Sequence, residues 1–168
     1  ELVGGELLLA WRERPRFVVV VGGGNFYRGR SAIPGVIDQV HADYVGMLAT
    51  VMNGIILQQW IQAQGMASVV LSAFPIGCSC ETYSPKKAND LLNSGSLVIL
   101  AGGTGWPFFT TDTAASLRAL EIGAKTLIKA TRVDGVFDRD PEKDNAAVKF
   151  DVLDFETAIS KRLEVMDA

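Results

Sequence analysis

The chain has 168 residues, of which 48% are hydrophobic and 21% are charged, a balance typical of a globular protein. Its net charge of −3 argues against nucleic acid or an anionic membrane as the main partner. Apolar runs such as Phe17–Val21 are too short to span a membrane. Because this length suffices for one hydrophobic core, we expect a single domain over residues 1–168.

The chain ends and the two cysteines suggest in which compartment the protein is found and whether the chain is truncated. The first five residues lack the basic and apolar regions of a signal peptide. Cys78 and Cys80 lie too close together for ordinary disulfide geometry, which favours a reducing cytoplasm. Glu1 falls inside an amphipathic helical pattern without a cap, and no closing element precedes Ala168. We therefore expect a chain that is truncated at both ends.

Short apolar runs alternate with helical patterns along the chain. This alternation predicts an α/β fold with an open, mainly parallel sheet sandwiched between helices. The predicted strands are Phe17–Val21, Ser68–Ser72, Leu97–Leu100 and Thr126–Lys129. The predicted helices cover residues 2–13, 38–64, 85–94, 112–122 and 154–165. Ser84-Pro85 predicts a capped helix start, and Gly95 and Gly123 predict helix ends.

The predicted helix over residues 38–64 is apolar around most of its circumference. A helix of this kind must be covered on more than one side. Either it lies centrally in a large core, or one of its faces also packs on another subunit. The pattern itself leaves both interpretations open.

The first strand runs into three glycines, Gly22–Gly24. The spacing is not the dinucleotide-binding G-x-G-x-x-G, because Tyr27 stands at the last position, and no Walker sequence occurs in the chain. Arg28 could reach a phosphate held by this turn through its forked guanidinium. An ordinary tight turn with a surface arginine explains the same residues.

A second glycine-rich stretch, Gly102–Asp112, joins an apolar run to a predicted helix start. Strand, glycine turn and helix N-terminus together make an anion site, because backbone N–H groups and the helix dipole favour negative charge there. Thr104, Thr110 and Thr111 could bind a phosphate or a base, or cap the helix. The intervening Phe108 and Phe109 could contact a ligand or fill the core.

Other candidates are less distinctive. Asp43, near the start of the long helix, could accept both hydroxyls of a ribose or complement the helix dipole. Phe137 and Asp140 follow the last predicted strand at its carboxyl end, where open α/β sheets bind ligands, although an Asp-Gly turn explains them as well. With one histidine, His41, and two cysteines, neither a four-ligand zinc site nor a Ser-His-Asp triad is expected.

Taken together, these segments resemble the bacterial UMP kinases of the amino-acid-kinase superfamily. The resemblance is continuous from about Val18 to Asp167, and the matching blocks keep the family's order and spacing. They are VVGGGNFYRG (Val20–Gly29), DYVGMLATVMNG (Asp43–Gly54), GGTGWPFFTTDTAA (Gly102–Ala115), RALEI (Arg118–Ile122), KATRVDGVFDRDP (Lys129–Pro141) and VMD (Val165–Asp167).

The resemblance implies transfer of the γ-phosphoryl group of ATP to UMP, with Mg²⁺ bound through the nucleotide phosphates rather than by a protein metal site. The residues that match UMP-binding positions are Gly23, Asp43, Thr104, Gly105, Trp106, Pro107, Phe108, Phe109, Thr110 and Thr111. Those that match ATP-binding positions are Gly24, Arg28, Thr131, Phe137 and Asp140. Arg28, Asp112 and Asp167 are the implied catalytic residues, with Arg28 stabilising charge on the transferred group.

The resemblance further implies a cytoplasmic homohexamer built from dimers, activated by GTP and inhibited by UTP, with the long helix at a dimer interface. Two departures from the family stand out. The family's N-terminal strand and lysine loop, which supply a catalytic lysine, and its last strands and helix have no counterpart here. Trp106 stands where the family usually has Asn.

Three alternative functions differ in what the sequence offers them. Acetylglutamate and aspartate kinases share the fold and the glycine turns but not the GTG-x-PFFTTD spelling. A non-catalytic nucleotide-binding member of the superfamily would keep the same motifs. A nicotinamide-dependent oxidoreductase is disfavoured by the interrupted fingerprint at Gly22–Tyr27.

Overall fold

A computed structural model describes residues 5, 9–11, 13, 16–27, 35–131, 133–163 and 165–166. The chain forms two compact units, Glu1–Lys125 and Thr126–Asp167. Most of the predicted first helix, residues 2–13, lies outside the described residues. The expectation of a single domain stays a prediction, and each unit is described by itself.

Unit 1 is built on a four-stranded sheet in the order β1-β4-β2-β3, in which every pair is parallel. The strands are β1 (Val18–Val20), β2 (Ser68–Ser72), β3 (Glu81–Thr82) and β4 (Leu97–Ala101). Three of them fall where the sequence predicts strands, and the mainly parallel sheet is confirmed. The short β3 has an exposed, polar sequence that does not read as a strand.

Among the described residues, three helices whose bounds can be given accompany this sheet: α1 (Gln39–Ala63), α2 (Pro85–Asn93) and α3 (Thr111–Ile122). Each begins at a residue whose side chain accepts a hydrogen bond from a backbone N–H three residues on, namely Asp38, Ser84 and Thr110. Gly123 ends α3 at φ 70°, in the left-handed region that glycine adopts without strain. The predicted start at Ser84-Pro85 and the predicted end at Gly123 are both confirmed.

The central strand β4 is buried on both faces, and its side chains alternate between two clusters. Leu97 and Ile99 pack with Val51 and Ile61 of α1 on one face. Val98 and Leu100 pack on the other face with residues of α2. Covering a sheet on both sides explains why its strands read as continuous apolar runs rather than as alternating ones.

Helix α1 packs on the sheet with one side only. Its opposite side leaves six apolar side chains 36–62% exposed: Val40, Tyr44, Val45, Leu48, Met52 and Ile56. By length and composition alone, α1 could also cross a membrane. The expectation that the apolar segments are too short to do so therefore does not hold for α1 by this measure. Its contacts with β2 and β4 account for part of the apolar composition.

Unit 2 contains an antiparallel pair, β5 (Val136–Phe137) with β6 (Lys149–Phe150), and a short helix, α4 (Phe155–Ser160). The predicted strand Thr126–Lys129 is wrong, because among the described residues this segment pairs with no strand and is exposed throughout. The predicted helix over residues 154–165 is too long. Asp154 is the N-cap of this helix, but the helix ends at Ser160.

Candidate functional site

Two glycine-rich turns lie at the same edge of the sheet. Strands β1 and β4 are parallel neighbours, so the turn after β1 (Gly22–Gly24) and the loop after β4 both leave at their carboxyl ends. We call the second of these, Gly102–Thr110, the glycine loop. It leads directly into the N-terminus of α3. This is the edge at which open α/β sheets bind ligands.

Each turn contains a glycine that no other residue could replace without movement. A Cβ on Gly23 would lie 2.4 Å from the carbonyl oxygen of Gly46, so the turn touches the backbone of α1. Gly102 has φ +79°, and a Cβ there would lie 3.0 Å from the Ala73 nitrogen. The glycines therefore allow close approach of the turns to the protein's own backbone, whereas the predicted approach to a ligand stays a prediction.

Two polar side chains of α1 tie both turns to the helix. The Thr50 hydroxyl oxygen accepts a hydrogen bond from the Gly102 N–H at 2.6 Å, in a buried position. The Asn53 amide donates to the Gly22 carbonyl oxygen at 2.6 Å. Sequence reasoning did not single out either residue. The available signal was two polar side chains three positions apart in an apolar helix, which places them on one face.

Asp43 connects α1 to the far end of the glycine loop. Its Oδ2 accepts a hydrogen bond from the Phe108 N–H at 2.8 Å, and its Oδ1 accepts one from the Gln39 amide at 2.8 Å. The alternative role, complementing the helix dipole, is not supported. Helix α1 has no acidic residue in its first turn, outside which that effect falls off.

The tip of the glycine loop exposes aromatic side chains. Trp106 and Phe108 are each 69% exposed and Phe109 is 57% exposed, so the interpretation of these phenylalanines as core residues is wrong. Phe108 adopts φ +69°, an uncommon conformation for a residue with a bulky side chain. The Thr104 hydroxyl accepts a hydrogen bond from the Trp106 N–H at 3.1 Å, which shapes the turn preceding this tip.

The N-terminus of α3 closes the site from a third side. Thr110 is the N-cap, and its hydroxyl oxygen accepts the Thr113 N–H at 3.2 Å. Thr111 lies against the glycine turn after β1, since a Cβ on Gly22 would be 3.6 Å from the Thr111 hydroxyl oxygen. The first-turn backbone N–H groups of α3 and its dipole favour an anion here, and the carboxylate of Asp112 stands in that same turn.

The loop is also held from behind by a buried arginine. The guanidinium of Arg118 on α3 donates to the carbonyl oxygens of Gly103 and Thr104, at 3.4 and 3.3 Å. It donates at 2.8 Å to the carboxylate of Glu121 and lies 4.2 Å from the centroid of the Tyr83 ring. The family resemblance includes Arg118 in the matching block RALEI but implies no role for it.

Within unit 1, the structure therefore brings together Gly23, Asp43, the glycine loop, Thr111 and Asp112. Gly24 belongs to the first turn and is exposed. Arg28 and Asp167, two of the three predicted catalytic residues, lie outside the described residues.

The other predicted ATP-binding residues lie in unit 2. Thr131 is exposed, and Phe137 is half-buried on β5. Asp140 accepts the Glu142 N–H at 2.9 Å and pairs with Lys143 at 3.0 Å. These bonds from Lys143 and from Glu142 lower the pKa of the Asp140 carboxyl.

Metal-ligating side chains do not converge in the described part of the chain, where no three His, Cys, Asp or Glu residues could hold an ion together. Cys78 and Cys80 are free thiols, the former exposed. Burial raises the pKa of the Cys80 thiol. His41 lies at the start of α1, where its N–H donates to Asp38 at 2.9 Å.

Comparison with known proteins identifies the group to which this arrangement belongs. The sequence pattern of the amino acid kinase family matches residues 5–166. The chain belongs to that family. Its sequence is 51% identical over 150 residues to a uridylate kinase of Wolinella succinogenes, covering 89% of this chain and 62% of that protein. It is 47% identical to a uridylate kinase of Wolbachia pipientis over 89% of this chain and 61% of that protein.

Solved structures agree with the sequence matches. The UMP kinase of Ureaplasma parvum superposes with a TM-score of 0.90 at 31% identity, covering 99% of this chain and 71% of that one. The UMP kinase of Bacillus anthracis superposes with a TM-score of 0.92 at 32% identity, covering 98% and 68%. The chain thus has the family's fold, and it spans about three fifths of the length of the curated relatives, 61–64%.

Proposed function

We propose that the protein is a nucleoside monophosphate kinase that transfers the γ-phosphoryl group of ATP to UMP, giving UDP and ADP. The observation that carries this proposal is the hydrogen bond between Asp43 and the glycine loop, which leads into the capped N-terminus of α3. It occurs in a chain about half identical to uridylate kinases. The spelling of the loop favours this acceptor over acetylglutamate or aspartate.

In this proposal UMP binds between α1 and the glycine loop. The carboxylate of Asp43 accepts the ribose hydroxyls, which is compatible with its bonds to Gln39 and Phe108, since an ionised carboxylate has about four acceptor positions. The phosphate of UMP lies near the N-terminus of α3, where backbone N–H groups and the Thr111 hydroxyl offer donors, beside the N-cap Thr110. The exposed rings at the loop tip offer apolar surface to the base.

ATP is the second substrate, bound by Gly24, Arg28, Thr131, Phe137 and Asp140 according to the family resemblance. By the same resemblance, Arg28 would stabilise the charge that develops on the transferred phosphoryl group, and Asp112 and Asp167 would be the acidic residues near the phosphates. The reaction needs neither a covalent nucleophile nor a metal cage of protein ligands, because phosphoryl transfer depends mainly on positioning and charge stabilisation. Mg²⁺ bound through the phosphate oxygens supplies the remaining charge neutralisation.

The assembly proposed with this function is a cytoplasmic homohexamer built from dimers, with GTP as activator and UTP as inhibitor. Its support here is the exposed apolar side of α1, which a second copy of the chain would cover. A charge at its centre, Leu48→Asp, should reduce the mass measured by sedimentation, whereas Lys86→Asp on the exposed side of α2 should not. An unchanged mass in Leu48→Asp would contradict this interface.

The test of the function is a coupled kinase assay on the protein in its full natural length, with UMP, CMP, acetylglutamate and aspartate as acceptors. We expect UMP to be preferred. Asp43→Asn should raise the KM for UMP by about tenfold or more, because a charge-assisted bond to the ribose is lost. Asp90→Asn, which alters an exposed ion pair on α2, is the matched control and should leave this KM unchanged.

Two results would contradict the proposal. One is preference for an amino acid acceptor, which would place the protein with the other kinases of its family. The other is tight UTP binding without turnover of any acceptor, which would indicate a nucleotide-binding protein without kinase activity. An unaffected KM for UMP in Asp43→Asn would remove only the assignment of the ribose contact.

A further inference from the structure

Arg118 is a charged side chain in an unusual place. It is 7% exposed, although an arginine is seldom buried unless its charge is paired. Its partner is Glu121, one turn further along α3, at 2.8 Å. Its guanidinium also lies 4.2 Å from the centroid of the Tyr83 ring, close enough for a cation–π contact. The guanidinium is thus engaged by protein groups, and a functional effect of Arg118 would pass through these neighbours.

Those neighbours include the backbone of the glycine loop. Arg118 donates from one nitrogen, Nη2, to the carbonyl oxygens of Gly103 and Thr104. In a trans peptide the carbonyl and the following N–H point in opposite directions. Holding the Gly103 carbonyl therefore turns the Thr104 N–H away from Arg118. The arginine therefore constrains the orientation of a loop peptide through its carbonyl oxygen.

Tyr83, which follows β3 directly, also contacts Glu121, and we call Arg118, Glu121 and Tyr83 together the clamp. The Tyr83 hydroxyl donates to the same Glu121 oxygen that accepts from Arg118, at 2.7 Å. Burial, followed by the neighbouring Glu121 carboxylate, raises the pKa of the Tyr83 hydroxyl above its ordinary value, which favours the protonated form that donates to Glu121. Arg118, Tyr83 and Glu121 thus join three parts of unit 1: the segment after β3, the glycine loop and α3.

We propose that Arg118 is a positioning residue for acceptor binding, which orients the glycine loop through the carbonyl oxygens of Gly103 and Thr104, with Glu121 and Tyr83 fixing its guanidinium. This inference rests on the proposed function, since it assigns the glycine loop to the acceptor nucleotide. It predicts that altering Arg118 weakens the acceptor side of the reaction specifically, whereas a purely structural arginine would affect stability alone.

The test compares Arg118→Lys and Arg118→Gln with the wild-type protein at full natural length. Lysine keeps the charge but lacks the planar fork that serves Glu121 and the loop together. We expect Arg118→Lys to raise the KM for UMP by about tenfold, as for loss of one charge-assisted contact, with the KM for ATP changed less than about twofold. Calorimetric titration with UMP alone should show the same loss of affinity.

Arg16 provides the matched control, because it is exposed and binds Asn89 and Asn93 on α2. Arg16→Lys should leave the KM for UMP unchanged. Tyr83→Phe keeps the ring and loses only the hydroxyl, so it should raise the KM for UMP less than Arg118→Lys does. If Arg118→Gln does not fold, the lysine variant and Tyr83→Phe still decide the question.

The outcomes separate the two proposals. An unchanged KM for UMP in a folded Arg118→Lys variant, with a lowered melting temperature, would overturn the positioning role and leave the kinase function standing. Equal loss for UMP and ATP would overturn it as well. A wild-type protein that neither binds nor phosphorylates UMP would overturn both the kinase function and this inference.

Discussion

The glycine loop of unit 1 and the charged loop of unit 2, defined here as Asp138–Asp144, are held in opposite ways. Backbone N–H groups of the glycine loop donate hydrogen bonds to residues far away in sequence: Thr50 lies 52 residues from Gly102, and Asp43 lies 65 residues from Phe108. In the charged loop, Arg139 pairs with Asp138 and Asp144, one and five residues away, and the Arg139 side chain is more than half exposed.

Burial adds to this difference in distance at Gly102, whereas the bond between Phe108 and Asp43 is exposed. Bonds such as that from the Gly102 N–H to Thr50 are buried, so removing one partner leaves the other without water to replace it. Exposed ion pairs exchange readily with water and salt, and their contribution is small. Remote partners, of which Thr50 makes a buried bond, tie the loop backbone to the helices, and fixed geometry of this kind is what positions a reacting group.

The largest effect is expected from Gly23→Ala. The new Cβ would lie 2.4 Å from the Gly46 carbonyl oxygen, a backbone atom that cannot move aside without displacing α1. We expect a loss of about 3 kcal/mol or more in the free energy of unfolding, measured by urea denaturation. Gly46→Ala is the control from the other side of this contact, because the nearest described atom to its Cβ would be the Tyr27 carbonyl oxygen, at 3.9 Å. Equal stability in the two variants would contradict the predicted close approach.

Next in size is Thr50→Val, which keeps the shape of the side chain but removes the acceptor for the Gly102 N–H. An unpaired buried donor costs about 1–3 kcal/mol, so the free energy of unfolding should fall by that amount. Thr157→Val, at an exposed bond in unit 2, should cost less. If the two substitutions were equivalent, the buried bond would not distinguish the glycine loop from the rest of the protein.

A smaller effect is expected from Glu121→Gln, and it should depend on pH. Burial disfavours the Glu121 carboxylate, but hydrogen bonds from Arg118 and Tyr83 outweigh this and lower its pKa from the ordinary value of 4.5. A lowered folded-state pKa contributes stability that is present above the unfolded pKa and is lost as pH falls through the folded one. The wild type should therefore lose stability in this acidic range more steeply than Glu121→Gln. Parallel profiles in thermal unfolding would argue against an ionised Glu121 in the clamp.

The smallest effect is expected from Arg139→Gln in the charged loop. Its two pairs are exposed and should be screened at high salt, since the Debye length is about 3 Å at 1 M ionic strength. The melting temperature should differ little from wild type at low salt and not at all at high salt. A large shift that persisted in high salt would mean that the charged loop is held as firmly as the glycine loop.

Much of the fold could be predicted because its signals are local. The runs Ser68–Ser72 and Leu97–Leu100 read as strands, since a parallel sheet buried on both faces requires continuous apolar residues. Caps such as Ser84 and stops such as Gly123 mark helix ends by their own backbone preferences. The short strand β3 was missed because its exposed, polar residues pair only where β2 offers an edge.

The candidate site divides in the same way. Asp43 and the glycine loop could be named from sequence because their motif is distinctive when read against a known family. The contacts from Thr50, Asn53 and Arg118 could not be named, since each joins its partner only after α1 or α3 has packed on the sheet. Thr126–Lys129 shows the converse error, in which an apolar, β-branched run predicts a strand that has no pairing partner among the described residues.

The sequence by itself determined that this chain forms an α/β fold with a parallel sheet and that two glycine turns follow its strands. Those features depend on hydrophobic periodicity, on the positions of glycines and on helix-capping residues. Only the tertiary structure decided that Asp43 grips the loop backbone, that the loop-tip aromatics face solvent, and that Arg118 holds the loop from behind. Hydrogen bonds between residues 14–65 positions apart are set by how the helices pack, and no local pattern records that packing.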